Sequence, residues 1–75
     1  MTTRRFALRD PFIELNVLLK LLALAPSGGA AKAMIAGGAV SVDGVPESRI
    51  RRKLRAGQRV VVGEDSIDIV DGEAT

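Results

Sequence analysis

The apolar positions of this chain change their period twice. From Arg4 to Arg9 they alternate, with Phe6 and Leu8 on one side and Arg5, Ala7 and Arg9 on the other. A two-residue repeat of this kind marks a short half-buried strand, here expected at a sheet edge. Asp10-Pro11 reads as an N-cap followed by proline at the first helical position, and predicts a helix from about Pro11 to Ala23. At about 100° per residue, Leu15, Leu18, Leu19 and Leu22 form one stripe, with Asn16 and Lys20 opposite it. Val17 and Leu21 fall off the stripe, which predicts that a second element covers part of the helix flank.

Pro26 ends this region, and Ser27 has the character of an N-cap for a second helix running to about Ala36. Ala30, Ala31, Met34 and Ile35 share its buried face, with Lys32 toward the outer edge. Gly28 and Gly29 in the first turn cost roughly 1 kcal/mol each against Ala. Close approach of a backbone or a phosphate, or tight helix packing, would compensate. Gly37-Gly38 supplies the stop. From Ala39 the period returns to two: Val40 and Val42 alternate with Ser41 before an Asp43-Gly44 turn. Val45 to Ala56 is an irregular basic connection with a short paired stretch. Val60 to Val62 and Ser66 to Val70 are two more strands around a Gly63–Asp65 turn. The order β-α-α-β-β-β predicts an α+β domain, two helices packed on a small antiparallel sheet. One domain is expected over residues 1–75, with a core of about 4–70 and a frayed tail over 71–75.

Composition narrows the chemistry. The chain has 75 residues, 47% apolar and 27% charged, the balance of one folded domain with a marginal core. It contains no Cys and no His, which excludes disulfides, thiolate zinc sites and imidazole bases or ligands. The remaining nucleophiles lack an activating partner, so no enzyme activity, metal, cofactor or small-molecule substrate is expected. The apolar stretch from Phe12 to Ala25 is interrupted by Glu14, Asn16 and Lys20, too short and too charged to span a membrane. Met-Thr-Thr-Arg-Arg is followed by no signal-peptide core, and a cytoplasmic protein is expected. No apolar stripe forces a dimer, so a monomer is expected.

The net charge is only +2, but its distribution is uneven. Arg49, Arg51, Arg52, Lys53, Arg55 and Arg59 share a window without an acid, while Glu64, Asp65, Asp68, Asp71 and Glu73 gather toward the C-terminus. The segregation predicts a positive face and a separate acidic end.

Ser27, Ala31, Met34, Ile35, Gly38, Val40, Val42, Asp43 and Gly44, in that order and spacing, resemble the core signature of the S4 RNA-binding domain. Leu15 and Leu18 fit the first helix of that pattern, and Gly57-Gln58-x-Val60 resembles the start of its later strand. The match is closest to short free-standing bacterial members, through Ser-Gly-Gly-x-Ala-Lys at Ser27 to Lys32 and Arg-Lys-Leu at Arg52 to Leu54. It covers about residues 12–70 and implies an S4-type (αL motif) fold. It also implies that the start of the second helix and the basic loop share an RNA-facing surface. Gly28 stands where many members carry Arg, which removes one phosphate contact. Asp43 stands where Asn is commoner and adds a negative charge beside that surface.

The candidate RNA-binding residues are therefore Ser27, Gly28 and Gly29 at a helix start, Lys20 and Lys32 nearby, and Arg49, Arg51, Arg52, Lys53 and Arg55 in the loop. Free N–H groups and the positive dipole end suit phosphate, and clustered guanidinium groups pair with it in bidentate fashion. The bland alternatives are an ordinary cap and a solvated face balanced by the C-terminal acids. With no Tyr or Trp, and with Phe6 and Phe12 assigned to the core, stacking on aromatics is absent and structured RNA is favoured over single strands. Ribosomal RNA is the guess that family analogy supplies. Two rivals remain. A DNA-binding helix-turn-helix would display only Lys32 on its second helix, too little to read base edges. A protein-interaction or sulfur-carrier-like module shares Val-x-Val-Asp-Gly, but the chain lacks a terminal Gly-Gly.

Overall fold

Leucines spaced for one helical face and valines spaced for one sheet face meet in a single core. The computed structural model describes residues 2–72. In chain order these form β1 (Thr2–Leu8), β2 (Ile13–Glu14), α1 (Leu15–Leu21), α2 (Gly28–Ala36), β3 (Val40–Val42), β4 (Val45–Pro46), β5 (Lys53–Leu54), β6 (Arg59–Val62) and β7 (Asp65–Asp71). A five-stranded sheet runs β1-β7-β6-β3-β4, and β2 and β5 make a separate antiparallel pair. From one side Leu15, Leu18 and Leu19 of α1 and Ala31 and Ile35 of α2 enter the core. Val40, Val42, Val60, Val62, Ile67 and Ile69 enter it from the sheet. Each large aliphatic side chain buried here contributes about 1.5–3 kcal/mol. Ala30, Met34 and Leu22 pack partly buried at the margin, as the helical stripes predict.

The sheet is antiparallel across β3, β4, β6 and β7, but β1 lies parallel to β7, with Phe6 opposite Ile69. The sheet is therefore mixed. β1 takes the edge that its charged outer face predicts. Asp43 and Gly44 both have positive φ (52° and 83°), the two-residue turn that joins β3 to β4 without splaying them. β7 runs on through Asp71, and the Gly72 N–H donates to the Leu8 carbonyl at 2.9 Å, so the chain is held past residue 70. A Cβ on Gly72 would stand 2.8 Å from that carbonyl oxygen, an approach open only to glycine. Of the tail expected to fray, residues 73–75 lie outside the described residues.

The first helix corrects the sequence expectation at both ends. It starts at Leu15, and Asp10-Pro11 does not cap it. Residues 13–14 are instead extended and pair with Leu54 and Lys53. Caps from elsewhere in the chain explain the shift. The N–H groups of Leu15 and Asn16 donate to the carbonyls of Arg52 (2.9 Å) and Ile50 (3.1 Å), so donors left orphan by the helix are satisfied by the basic loop. At the other end, helical structure stops at Leu21. Ala23 adopts φ 59°, Leu24 N–H donates to Leu19 O at 2.9 Å, and Ala23 N–H donates to Lys20 O at 3.1 Å. The same closure ends α2: Gly38 has φ 80°, Ala39 N–H donates to Met34 O, and Gly38 N–H donates to Ile35 O. Both are Schellman closures, which favour glycine at the left-handed position. α1 accepts alanine there at a cost of about 1–2 kcal/mol. Among the described residues, no element covers the flank of α1, where Val17 and Leu21 stay exposed.

Candidate nucleic-acid interface

The basic loop is built by two apolar anchors. Leu54 is fully buried and Ile50 packs half-buried against the core, which leaves the cationic residues around them to project outward. The backbone bonds from Leu15 and Asn16 clamp the same segment to the start of α1. Arg49, Arg51, Arg52 and Lys53 thereby line one open depression of about 530 Å³, and no acid is among its lining residues. Of the predicted loop residues, only Arg55 stands outside it. That side chain turns toward the β1–β2 connection, with Nη1 3.4 Å from the Pro11 carbonyl.

Behind the depression lies a residue that sequence reasoning passed over. Glu47 is only 8% exposed, the one buried charged side chain among the described residues. Its Oε2 accepts from the backbone N–H (3.1 Å) and Nε (3.2 Å) of Arg49, and its Oε1 accepts from Arg49 Nη2 (3.2 Å) and Arg52 Nη1 (2.7 Å). The side-chain and backbone hydrogen bonds from Arg49, aided by Arg52, outweigh the opposing effect of burial. They hold the carboxyl down at about 2, against an ordinary 4.5. Glu47 is thus ionised throughout the neutral range, and it fixes two guanidinium groups by charge-assisted bonds. Arg51 has no ion-pair partner among the described residues, and the arc keeps a positive excess. The signal in the sequence was a lone acid two residues ahead of the basic run.

Phe12 was also misassigned. Phe6 packs against the core, whereas Phe12 is half-buried outside it. Lys53 Nζ lies 4.9 Å and the Arg55 guanidinium carbon 5.9 Å from its ring centroid, both within cation–π reach. The β2–β5 pairing causes this, because it sets residues 13–14 beside Lys53 and Leu54.

The helix start takes the predicted form. Ser27 is extended (φ −155°, ψ 168°), and its Oγ accepts from Ala30 N–H at 3.1 Å. A Cβ on Gly28 would meet nothing within 4 Å, and one on Gly29 only Ser27 Oγ at 3.9 Å. Packing therefore does not demand either glycine, and the helix-packing account of them fails. Lys20 is exposed in the last turn of α1 and borders a groove with Gly28. Lys32 is exposed on α2 and lines none of these depressions.

Arg59, Asp68 and Asp43 are engaged away from the arc. Arg59 Nε donates to Asp68 Oδ1 at 2.7 Å across β6 and β7. The Asp43 carboxylate accepts from Arg59 N–H (2.9 Å) and Gln58 Nε2 (3.2 Å), so it braces its turn. Among the described residues, no three acidic side chains come together to hold a metal ion. No helix there is long and apolar enough to cross a membrane.

Comparison with known proteins matches this architecture. The S4 domain family model covers residues 6–70. "Putative RNA-binding protein YbcJ" of Escherichia coli strain K12 is 45% identical over 62 residues, which span 83% of this chain and 89% of the relative. "Uncharacterized protein YbcJ" of Shigella flexneri matches to the same extent. The solution structure of YbcJ from E. coli, described as revealing an αL motif involved in RNA binding, has a TM-score of 0.65 at 43% identity. That alignment covers 93% of this chain and 87% of the other. On a family match across residues 6–70 and a relative 45% identical over most of both chains, this chain belongs to the S4 domain family.

Proposed function

We propose that this protein is a non-catalytic RNA-binding module that holds structured RNA as a single copy. The observation that carries the reading is the arc itself: Arg49, Arg51, Arg52 and Lys53 around one open depression with no acid in its lining. Such a surface suits the closely spaced phosphates of a folded strand, whose counterions it would release. Family membership and the RNA-binding description of the E. coli relative support the same reading. Ser27 to Gly29 and Lys32 serve as a second phosphate contact that sets register, since neither glycine obstructs the backbone amides. Ribosomal RNA is the folded RNA we favour, on family analogy.

The test is binding to a stem-loop RNA, followed by fluorescence anisotropy across a salt series. Four to six neutralised phosphates give a slope of log K against log salt of about −3 to −5. Replacing Arg51, Arg52 and Lys53 together by Ala flattens that slope and weakens binding. A salt-independent affinity, equal or tighter binding to duplex DNA, or unchanged binding by the triple variant overturns the proposal.

A further inference from the structure

Sequence periodicity assigns Val17 and Leu21 to a covered helix flank, but in the fold they stay open, 39% and 63% exposed. Both line a groove of about 410 Å³ together with Asn16, Lys20 and Gly28. A volume of this size falls in the ordinary range for small-ligand pockets, roughly 300–1,000 Å³. Its character differs from that of the arginine depression: aliphatic side chains line it, one lysine stands at its side, and no acid is among its lining residues.

Two observations say what the groove suits. It is tied to the loop that carries the basic arc: the backbone N–H of Asn16 in its wall donates to the carbonyl of Ile50 at 3.1 Å, between Arg49 and Arg51. Asn16 carries an unsatisfied acceptor: its Oδ1 is buried and finds no hydrogen-bond partner. A side-chain amide of this kind can pair with either a donor or an acceptor on a base edge.

We propose that this groove is a subsite for one unpaired nucleobase, extruded from the RNA whose phosphates the basic arc holds. The inference rests on the RNA-binding reading and refines it, from a phosphate-tracking surface to one that also senses an unpaired nucleotide. Leu21 and Val17 take the face of the base where other RNA binders use an aromatic ring, Asn16 meets its edge, and Lys20 meets the adjoining phosphate. The lysine in its lining and the backbone bond to the loop that carries the arc favour a nucleotide over an apolar peptide side chain.

The experiment uses two hairpin RNAs with the same stem, one fully paired and one with a single bulged nucleotide, the latter made with each of the four bases. Affinities for wild-type protein and Leu21→Gln are compared at one salt concentration. Leu21 is mostly exposed, so the variant retains the fold. The wild type is expected to bind at least one bulged hairpin roughly tenfold tighter than the paired one. Leu21→Gln is expected to erase that preference while leaving the affinity for the paired hairpin unchanged. As a second readout, nucleoside 5′-monophosphates, but not inorganic phosphate, should shift the amide NMR signals of Leu21 and Gly28. Equal affinity of the wild type for paired and bulged hairpins, or a preference that survives in Leu21→Gln, overturns the subsite while leaving RNA binding intact. Failure to bind either hairpin overturns the RNA reading and the subsite together.

Discussion

Arginine meets carboxylate in two regions of this molecule, at the centre of the sheet and in the loop before β5, with opposite outcomes. On the sheet, Arg59 lies directly opposite Asp68 across β6 and β7, and Arg5 on β1 pairs in register with Asp68 from the other side. Hydrogen bonds from Arg59, with a smaller attraction from Arg5, hold the Asp68 carboxyl below its ordinary range. Register alone brings both arginines to this carboxylate, because strand pairing sets the three side chains in one row. In the loop, β5 has just two paired residues, and Glu14 is the sole acid opposite them. Guanidinium groups there compete for Glu47, and most of the positive charge stays available. Arg49, Arg51 and Arg52 lie outside any paired strand, and it is there that charge becomes available for binding.

Removing each region's carboxylate separates the two most sharply. Glu47→Ala leaves Arg52 half-buried without its 2.7 Å partner and frees Arg49. We expect a stability loss of about 1–3 kcal/mol, the usual cost of stranding a partly buried polar group. RNA affinity should fall several-fold despite the gain in net positive charge, because two arginines lose their set orientation. Asp68→Ala removes an exposed pair and should scarcely move the denaturation midpoint. If chemical denaturation shows the two variants equally stable, Glu47 is not the organiser of the arc.

The same contrast extends to pH. The Glu47 carboxyl is lowered in the folded protein, so its contribution is fully present above its ordinary value of 4.5 and is lost as pH falls toward about 2. Stability arising from this group should therefore be flat from neutral pH down to about 5 and decline below that. Carbon-13 NMR of the Glu47 side chain should give a titration midpoint near 2 in the wild type. In Arg49→Ala the midpoint should move up toward the ordinary range, since Arg49 supplies the largest part of the lowering. An unmoved midpoint would assign the lowering to Arg52 instead.

These effects mark how far the sequence could be read. The helical stripes, the Asp43-Gly44 turn, the edge strand and the basic cluster were all legible, because each depends on local periodicity or on residue type. The start of α1 was not, because its caps come from Ile50 and Arg52, more than thirty residues away. Phe12 was taken as core for a related reason: apolar character in a window says nothing about a two-residue strand pairing that turns the ring toward Lys53. Glu47 looked like one acid beside many bases. Only the folded loop shows that it is buried and that Arg49 binds it through both backbone and side chain.

Phe12→Leu tests the platform under the arc with a smaller effect. Leucine keeps much of the apolar volume but loses the ring face toward Lys53 and Arg55. Exposed cation–π contacts are worth about 0.5–1 kcal/mol each. RNA affinity should fall by about two- to fivefold, with little change in thermal midpoint. A loss of stability without a loss of affinity would return Phe12 to a purely structural role.

The smallest effect is the most discriminating for the comparison itself. Arg59 is the sixth basic residue of the acid-free window, and by composition alone it belongs with the other five. The fold removes it from that set. Its guanidinium spans both oxygens of Asp68, at 2.7 and 3.3 Å, and its backbone N–H is held by Asp43. Bringing a phosphate to Arg59 would mean displacing Asp68 and leaving that carboxylate beside the incoming negative charge. Arg59→Ala should therefore change RNA affinity by no more than about twofold and leave the salt slope as it was, whereas a true phosphate contact would reduce the slope by about one. A loss as large as that of an arc residue would mean that the RNA path crosses the sheet, and that the Arg59–Asp68 pair opens when RNA binds.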